Sequence, residues 1–146
     1  MPIKGVKRVR ERLKQELKEI TDKKTYEVLW RVGMLAGGFA ANMTPVDTGF
    51  LINSQFQYIG NTAEGMQLRL GYTARYAEWV HNMPGKLKGQ PREHFGKTRE
   101  GVEFGGGTGK GKYWDPNAEP EFLRKAFEDP NNADDIYKEI IEGYKI

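Results

Sequence analysis

Between Val6 and Met43 the apolar residues return at gaps of three and four: Val6, Val9, Leu13, Leu17, Ile20, then Val28, Val32, Leu35, Phe39 and Met43. That is the repeat of one face of a helix. The only longer gap, from Ile20 to Val28, is two steps of four with Lys24 between them. The spacing predicts either one helix more than ~50 Å long or two helices meeting near Thr21-Asp22, where an N-cap could form. Its first half carries only a thin apolar stripe, so it is expected to be exposed or held by neighbours. Its second half is apolar on more than one side and contains Gly33, Gly37 and Gly38, as suits a helix lying close on a sheet.

Thr44-Pro45 stops the helix, because the residue before proline disfavours helical angles. From Ile52 to Ile59 the pattern changes to alternation. Ile52, Phe56 and Tyr58 share one face, and Asn53, Gln55 and Gln57 the other. Met66, Leu68, Leu70 and Tyr72 alternate against Gln67 and Arg69. With the polar stretch 60–65 between them, the two runs predict an antiparallel hairpin. A short helix follows at Tyr76 to His81. Val102 to Phe104 and Lys112 to Trp114 are weaker strand candidates. Pro120 suits the first turn of a helix through Phe122, Leu123, Ala126 and Phe127. Asp129-Pro130 breaks that helix, and Ala133 to Tyr144 forms a last amphipathic one. The expected class is α+β: a long N-terminal helix packed on a small antiparallel sheet, with a long glycine-rich loop and two C-terminal helices. The expected organisation is one domain over 1–146. Its parts are the helix (1–43), a turn, hairpin and short helix (44–83), the loop (84–118) and the closing helices (119–146).

Composition narrows the chemistry. The 146 residues include no cysteine and two histidines, His81 and His94. Disulfides, thiolate metal sites and cysteine nucleophiles are excluded, and little remains for a zinc site or a histidine triad. No apolar run approaches the ~20 residues of a membrane span. The basic start is not followed by the apolar core of a secretion signal, so a cytoplasmic origin is expected. Mean hydropathy is −0.72, polar for a globular chain.

Net charge is +3, but it is unevenly spread. Residues 1–31 hold ten Lys/Arg against five acids, and residues 119–146 hold eight acids against four bases. Opposite signs at the two ends suit association of identical copies; the alternative is that both ends are simply solvated helix faces. Nine of the 18 glycines lie between Gly85 and Gly111. A segment so rich in glycine and lysine is expected to be mobile in isolation, or held by a partner.

Several motifs invite an enzymatic reading and fail it in context. Val46-Asp47-Thr48-Gly49 matches the signature of dimeric aspartic proteases. Those enzymes are almost all β, however, and here bulky Phe50 follows the tetrapeptide. Asp47 and Thr48 bonding local amides, with Gly49 supplying a turn, is the plainer account. Gly106 to Lys112 meets the first part of a phosphate-binding loop. Tyr113 then stands where Ser or Thr should hold magnesium, and Trp114-Asp115-Pro116 blocks the required helix. His81 and His94 read as polar loop residues rather than ligands. Asn42-Met43-Thr44 is a formal glycosylation acceptor at a helix end. No enzymatic activity and no cofactor or metal is expected.

Three segments occur in a fixed order after the long helix: Thr44-Pro45-Val46-Asp47-Thr48-Gly49-Phe50-Leu51, then Arg75-Tyr76-Ala77-Glu78-Trp79-Val80, then Pro120-Glu121-Phe122-Leu123-Arg124-Lys125-Ala126-Phe127. Over roughly residues 25–128 this resembles the family of small tailed-bacteriophage proteins described as minor tail components, tail-completion or head–tail joining proteins. Two departures stand out. His81-Asn82-Met83 replaces the family's glutamate-x-glycine, and Glu121 separates Pro120 from Phe122.

The resemblance implies a virion protein of the neck, assembled in the host bacterial cytoplasm. It would form a ring, usually of six copies, between the head connector and the tail, leaving a channel for DNA. The implied partners are further copies of itself, a connector or adaptor protein, a tail terminator or tube protein, and DNA without sequence specificity; no membrane is involved. A tail terminator, a connector adaptor or a freestanding DNA-binding module are the alternatives. Pro45, Asp47, Thr48 and Gly49 are expected to form a structural turn. Tyr76, Trp79, Tyr113, Trp114, Phe122 and Arg124 are the candidate interface residues. Lys86, Lys88, Arg92, Lys97, Arg99, Lys110 and Lys112 are candidates for contact with DNA or a neighbouring ring.

Overall fold

The computed structural model describes residues 5–46, 49–86, 89, 97–99, 102–103 and 115–145. The chain is α+β, and its organising element is a single helix, α1 (Val6–Met43). It runs unbroken through Thr21-Asp22, so of the two sequence-level alternatives the continuous helix is the one adopted. Thr21 donates its hydroxyl to the Leu17 carbonyl at 2.8 Å, bonding back into the helix instead of capping a new one. At ~1.5 Å per residue, α1 is about 57 Å long. Thr44 ends it with extended backbone (ψ 128°) ahead of Pro45.

After Gly49, whose φ of +83° is left-handed, comes the one-turn helix α2 (Phe50–Asn53). The expected strand therefore starts later than Ile52: β1 (Gln55–Thr62) pairs antiparallel with β2 (Gly65–Tyr72), with Gln55 opposite Tyr72 and Thr62 opposite Gly65. Then follow α3 (Ala77–His81) and the short pair β3 (Lys97–Arg99) and β4 (Val102–Glu103). Thus β4 pairs with the segment before it; the other expected strand, Lys112 to Trp114, lies outside the described residues. The chain closes with α4 (Phe122–Glu128) and α5 (Pro130–Tyr144). Asp129 caps α5 by accepting the Asn131 N–H at 3.0 Å, and Pro130 occupies its first turn.

The C-terminal half of α1 lies between the β1–β2 hairpin and α5. Val28, Val32 and Ala36 of α1 meet Ile136 of α5, with Leu68 and Leu70 of β2 packed against them. A second cluster closes the C-terminal end of α1. There Leu51, Ala74, Ala77 and Phe122 are buried, flanked by Met43, Tyr72, Val80 and Leu123.

The hairpin turns the polar of the two β1 faces toward the helix. The β1 residues facing α1 are Gln55 and Gln57, and Phe56 and Tyr58 face solvent. Gly33 and Gly37 make this arrangement fit: an added Cβ would stand 2.5 Å from the Gln57 Oε1 and 3.1 Å from the Gln55 Oε1. Gln55 donates to the Gly37 carbonyl (3.0 Å) and to the Tyr72 hydroxyl (2.9 Å). The Thr44 hydroxyl proton goes to the Ala40 carbonyl (2.7 Å). The Tyr72 hydroxyl, 2.7 Å from Thr44 Oγ1, is therefore the donor in that bond. A continuous polar chain thus pins the hairpin to the end of α1. On the outer face, the Phe56 ring covers Gly71 and the Tyr58 ring covers Gly60, filling space that glycine leaves empty.

Candidate functional site

The sequence-level site residues divide into several places. Gly49 lies at the N-terminus of α2 and accepts the Asn53 N–H at 3.0 Å through its carbonyl. Asp47 and Thr48 lie outside the described residues. Val46, just before them, is tethered by Asp115, which the sequence pattern marks only as part of a helix-blocking segment. Its carboxylate is buried and accepts the Val46 N–H at 3.1 Å and the Asn117 N–H at 2.9 Å. Four residues after Asp115 the Glu119 N–H donates to the Met43 carbonyl at 2.9 Å. The stretch 115–120 is therefore a strap across the end of α1. Nothing in local sequence pattern links Asp115 to Val46, which lies 69 positions away.

At the start of α2 is an aromatic corner. Phe50 and Tyr76 rings lie 6.1 Å apart, tilted by 34°. Trp79, on the next turn after Tyr76, is 68% exposed. Tyr76 and Trp79 thus stand on the surface. Phe122 does not. It is 1% exposed, with Tyr72 and His81 rings edge-on at 5.1–5.3 Å. The interface role expected for Phe122 is corrected to a core role, because docking α4 on α3 and the end of α1 turns its ring inward. Tyr113 and Trp114 lie outside the described residues.

Arg124 is exposed but already engaged. Its guanidinium contacts Glu128 at 2.7 Å and Glu121 at 2.9 Å. The hydrogen bond to Glu128, followed by the charge of Glu121, raises its pKa above the ordinary arginine value. These residues line a cleft of about 460 Å³ with Met43, Glu119, Lys125 and Asp129. Lys125 pairs with Glu119 at 3.0 Å. The cleft is thus laced by ion pairs that fix the start of α4. Among the described residues no group of three or more His, Asp or Glu is placed to hold a metal ion.

Glu121, one of the two departures from the resembled pattern, takes φ +54° and ψ +37°, the one described non-glycine residue with positive φ. Its N–H donates to the His81 carbonyl at 2.8 Å. The Nε2 of His81 lies 3.4 Å from the Arg124 N–H. His81 therefore buttresses the N-terminus of α4, while His94 lies outside the described residues.

Of the seven basic candidates, Lys86 is exposed, and Lys97 and Arg99 lie on β3. Lys88, Arg92, Lys110 and Lys112 lie outside the described residues. A larger basic surface is the free part of α1. Val6, Val9, Leu13, Leu17 and Ile20 are all 50–67% exposed, among eight Lys/Arg and four acids between residues 6 and 24. α5 presents the opposite sign, with four acids and one lysine. Tyr137 is 64% exposed and Ile141 43%.

Among the described residues no helix is long and apolar enough to cross a membrane. Comparison with protein-family models, with curated proteins and with solved structures found no match for this chain.

Proposed function

We propose that this protein is a structural component of the bacteriophage neck, a ring of identical copies that joins the head connector to the tail around a channel for DNA. The order of the Pro-Val-Asp-Thr-Gly, Tyr-Ala and Pro-Glu-Phe-Leu segments motivates the reading. The observation that carries it is the free half of α1, a projecting helix whose apolar stripe nothing in its own chain covers among the described residues. A monomer gains nothing from such a stripe, whereas an assembly buries it. The aromatic corner of Phe50, Tyr76 and Trp79 gives a second surface for the neighbouring protein of the joint, since aromatics dominate protein interfaces. The basic side chains of the glycine-rich loop suit a channel wall that meets phosphates without reading bases.

The test is removal of the protein from the phage that encodes it. Electron micrographs are expected to show filled heads and separate tails; normal numbers of joined, infectious particles would refute the reading. The basic face of α1 also supports a second one, a freestanding DNA-binding module. That reading requires the isolated monomer to bind duplex DNA tightly at physiological salt, with affinity falling steeply as salt rises.

A further inference from the structure

The apolar residues of the free part of α1 are spaced three, four, four and three apart, and the spacing continues into the packed part. Val6 to Leu17, Val9 to Ile20 and Leu17 to Val28 are each eleven residues. Eleven residues make three turns of ~3.67, so the stripe stays nearly straight along the helix. Val28 lies against Gly143 of α5 in the same chain. That intramolecular seam stops a turn further toward the N-terminus. There the Tyr144 hydroxyl donates to Thr25 at 2.9 Å and Lys24 donates to the Lys145 carbonyl at 2.9 Å. Beyond Lys24 the same line of apolar residues runs on uncovered for about 21 Å, at ~1.5 Å per residue.

We propose that this stretch of α1 docks on the outer face of α5 in a second copy of the chain. The inference rests on the ring reading above and specifies the contact that builds the ring. α5 is 15 residues long, about 22 Å, matching the uncovered length. On its outer side Tyr137 and Ile141 are one turn apart, with Asp134 beside them, and both apolar side chains are exposed.

Charge selects between the partners available in an identical copy. Residues 6–24 carry a net +4, and α5 a net −3. Two α1 stripes face to face would bring together surfaces of the same sign, whereas α1 on α5 joins opposite ones. DNA would match the bases but would leave five exposed apolar side chains in water. Because donor and acceptor surfaces differ, each copy offers one of each. Such head-to-tail contacts propagate from copy to copy and give a ring when the rotation between copies closes.

The absence of cysteine makes a direct test clean. Leu13→Cys or Leu17→Cys places a thiol on the stripe, and Tyr137→Cys or Ile141→Cys places one on α5. All four sites are exposed, so the fold is retained. A disulfide needs Cα atoms within ~7 Å, and within one chain the two sites are separated by more than ~15 Å along α1. Cross-links between them must therefore join copies.

Mild oxidation of a mixture of one α1 and one α5 variant, distinguished by size tags, is expected to yield a heterodimer several-fold above either homodimer. The double variant should give a ladder ending in a closed species. Yield should fall as salt rises toward 1 M, where the Debye length is ~3 Å. A dominant homodimer of the α1 variants would overturn the proposal, as would failure of all four pairings both in purified protein and in phage particles. Duplex DNA that abolishes the cross-link while binding the wild-type chain would also overturn it. Particle assembly separates this contact from the neck reading. Heterodimers from a protein whose removal leaves particles normal would keep the contact and remove the neck role. Unjoined heads and tails without any cross-link would do the reverse.

Discussion

Phe122 is where core and interface make opposite predictions for one substitution. The side chain is 1% exposed, between Leu51, Ala74 and Ala77, with Tyr72 and His81 rings edge-on. Truncating a buried phenylalanine to alanine costs about 3–5 kcal/mol in lost transfer energy and cavity. Losing two edge-to-face ring pairs, worth ~0.5–1.5 kcal/mol each beyond burial, places Phe122→Ala in the upper half of that range. Against a typical total of ~5–15 kcal/mol, this is a large fraction. At ~2–4 °C per kcal/mol for a chain of this size, the melting temperature should drop by roughly 8–20 °C. The assay is thermal and urea unfolding followed by far-ultraviolet circular dichroism, at protein concentrations low enough that copies do not associate. Phe122→Leu, which keeps most of the volume but not the ring edges, should fall in between. An alanine variant that melts with the wild type and loses only assembly would refute the core assignment.

Three other substitutions probe the contacts that position the surfaces. Asp115→Ala strands the Val46 and Asn117 amides and should cost about 1–3 kcal/mol, read by urea unfolding; an unchanged midpoint would remove the strap from the fold. Gln57 has a buried Nε2 without a hydrogen-bond partner among the described residues. Gln57→Met should therefore stabilise by ~1 kcal/mol, and a lower melting temperature would show that the amide is paired. Glu121→Gly should raise stability by about 0.5–1 kcal/mol, since ~1–2 kcal/mol of left-handed strain is relieved against the loss of one exposed ion pair and some chain entropy. Glu121→Val should be destabilising, and the reverse order in thermal unfolding would contradict the backbone assignment.

The elements themselves were largely legible in the chain. The three-and-four spacing located α1, Thr44-Pro45 stopped it, alternation with a polar break located the hairpin, and Pro120 and Asp129-Pro130 marked the closing helices. Such signals are local, because periodicity and backbone restriction act within a few residues. Even the unusual exposure of the first half of α1 followed from its thin stripe. What alternation could not show is which face of β1 turns inward. Gln55 and Gln57 face the helix because Gly33 and Gly37 make room and the Tyr72–Thr44 chain takes up the Gln55 amide, and those partners lie 17 to 28 residues from one another. The carboxylate of Asp115 on Val46, the burial of Phe122 and the left-handed turn at Glu121 are likewise products of how the strap and α4 close over the end of α1. The sequence alone determined the kinds of element and the opposite charge of the two ends. Tertiary structure decided which apolar residues were consumed by the core, Phe122 among them, and which, on the outside of α5, were left facing water, because burial depends on neighbours brought together by packing.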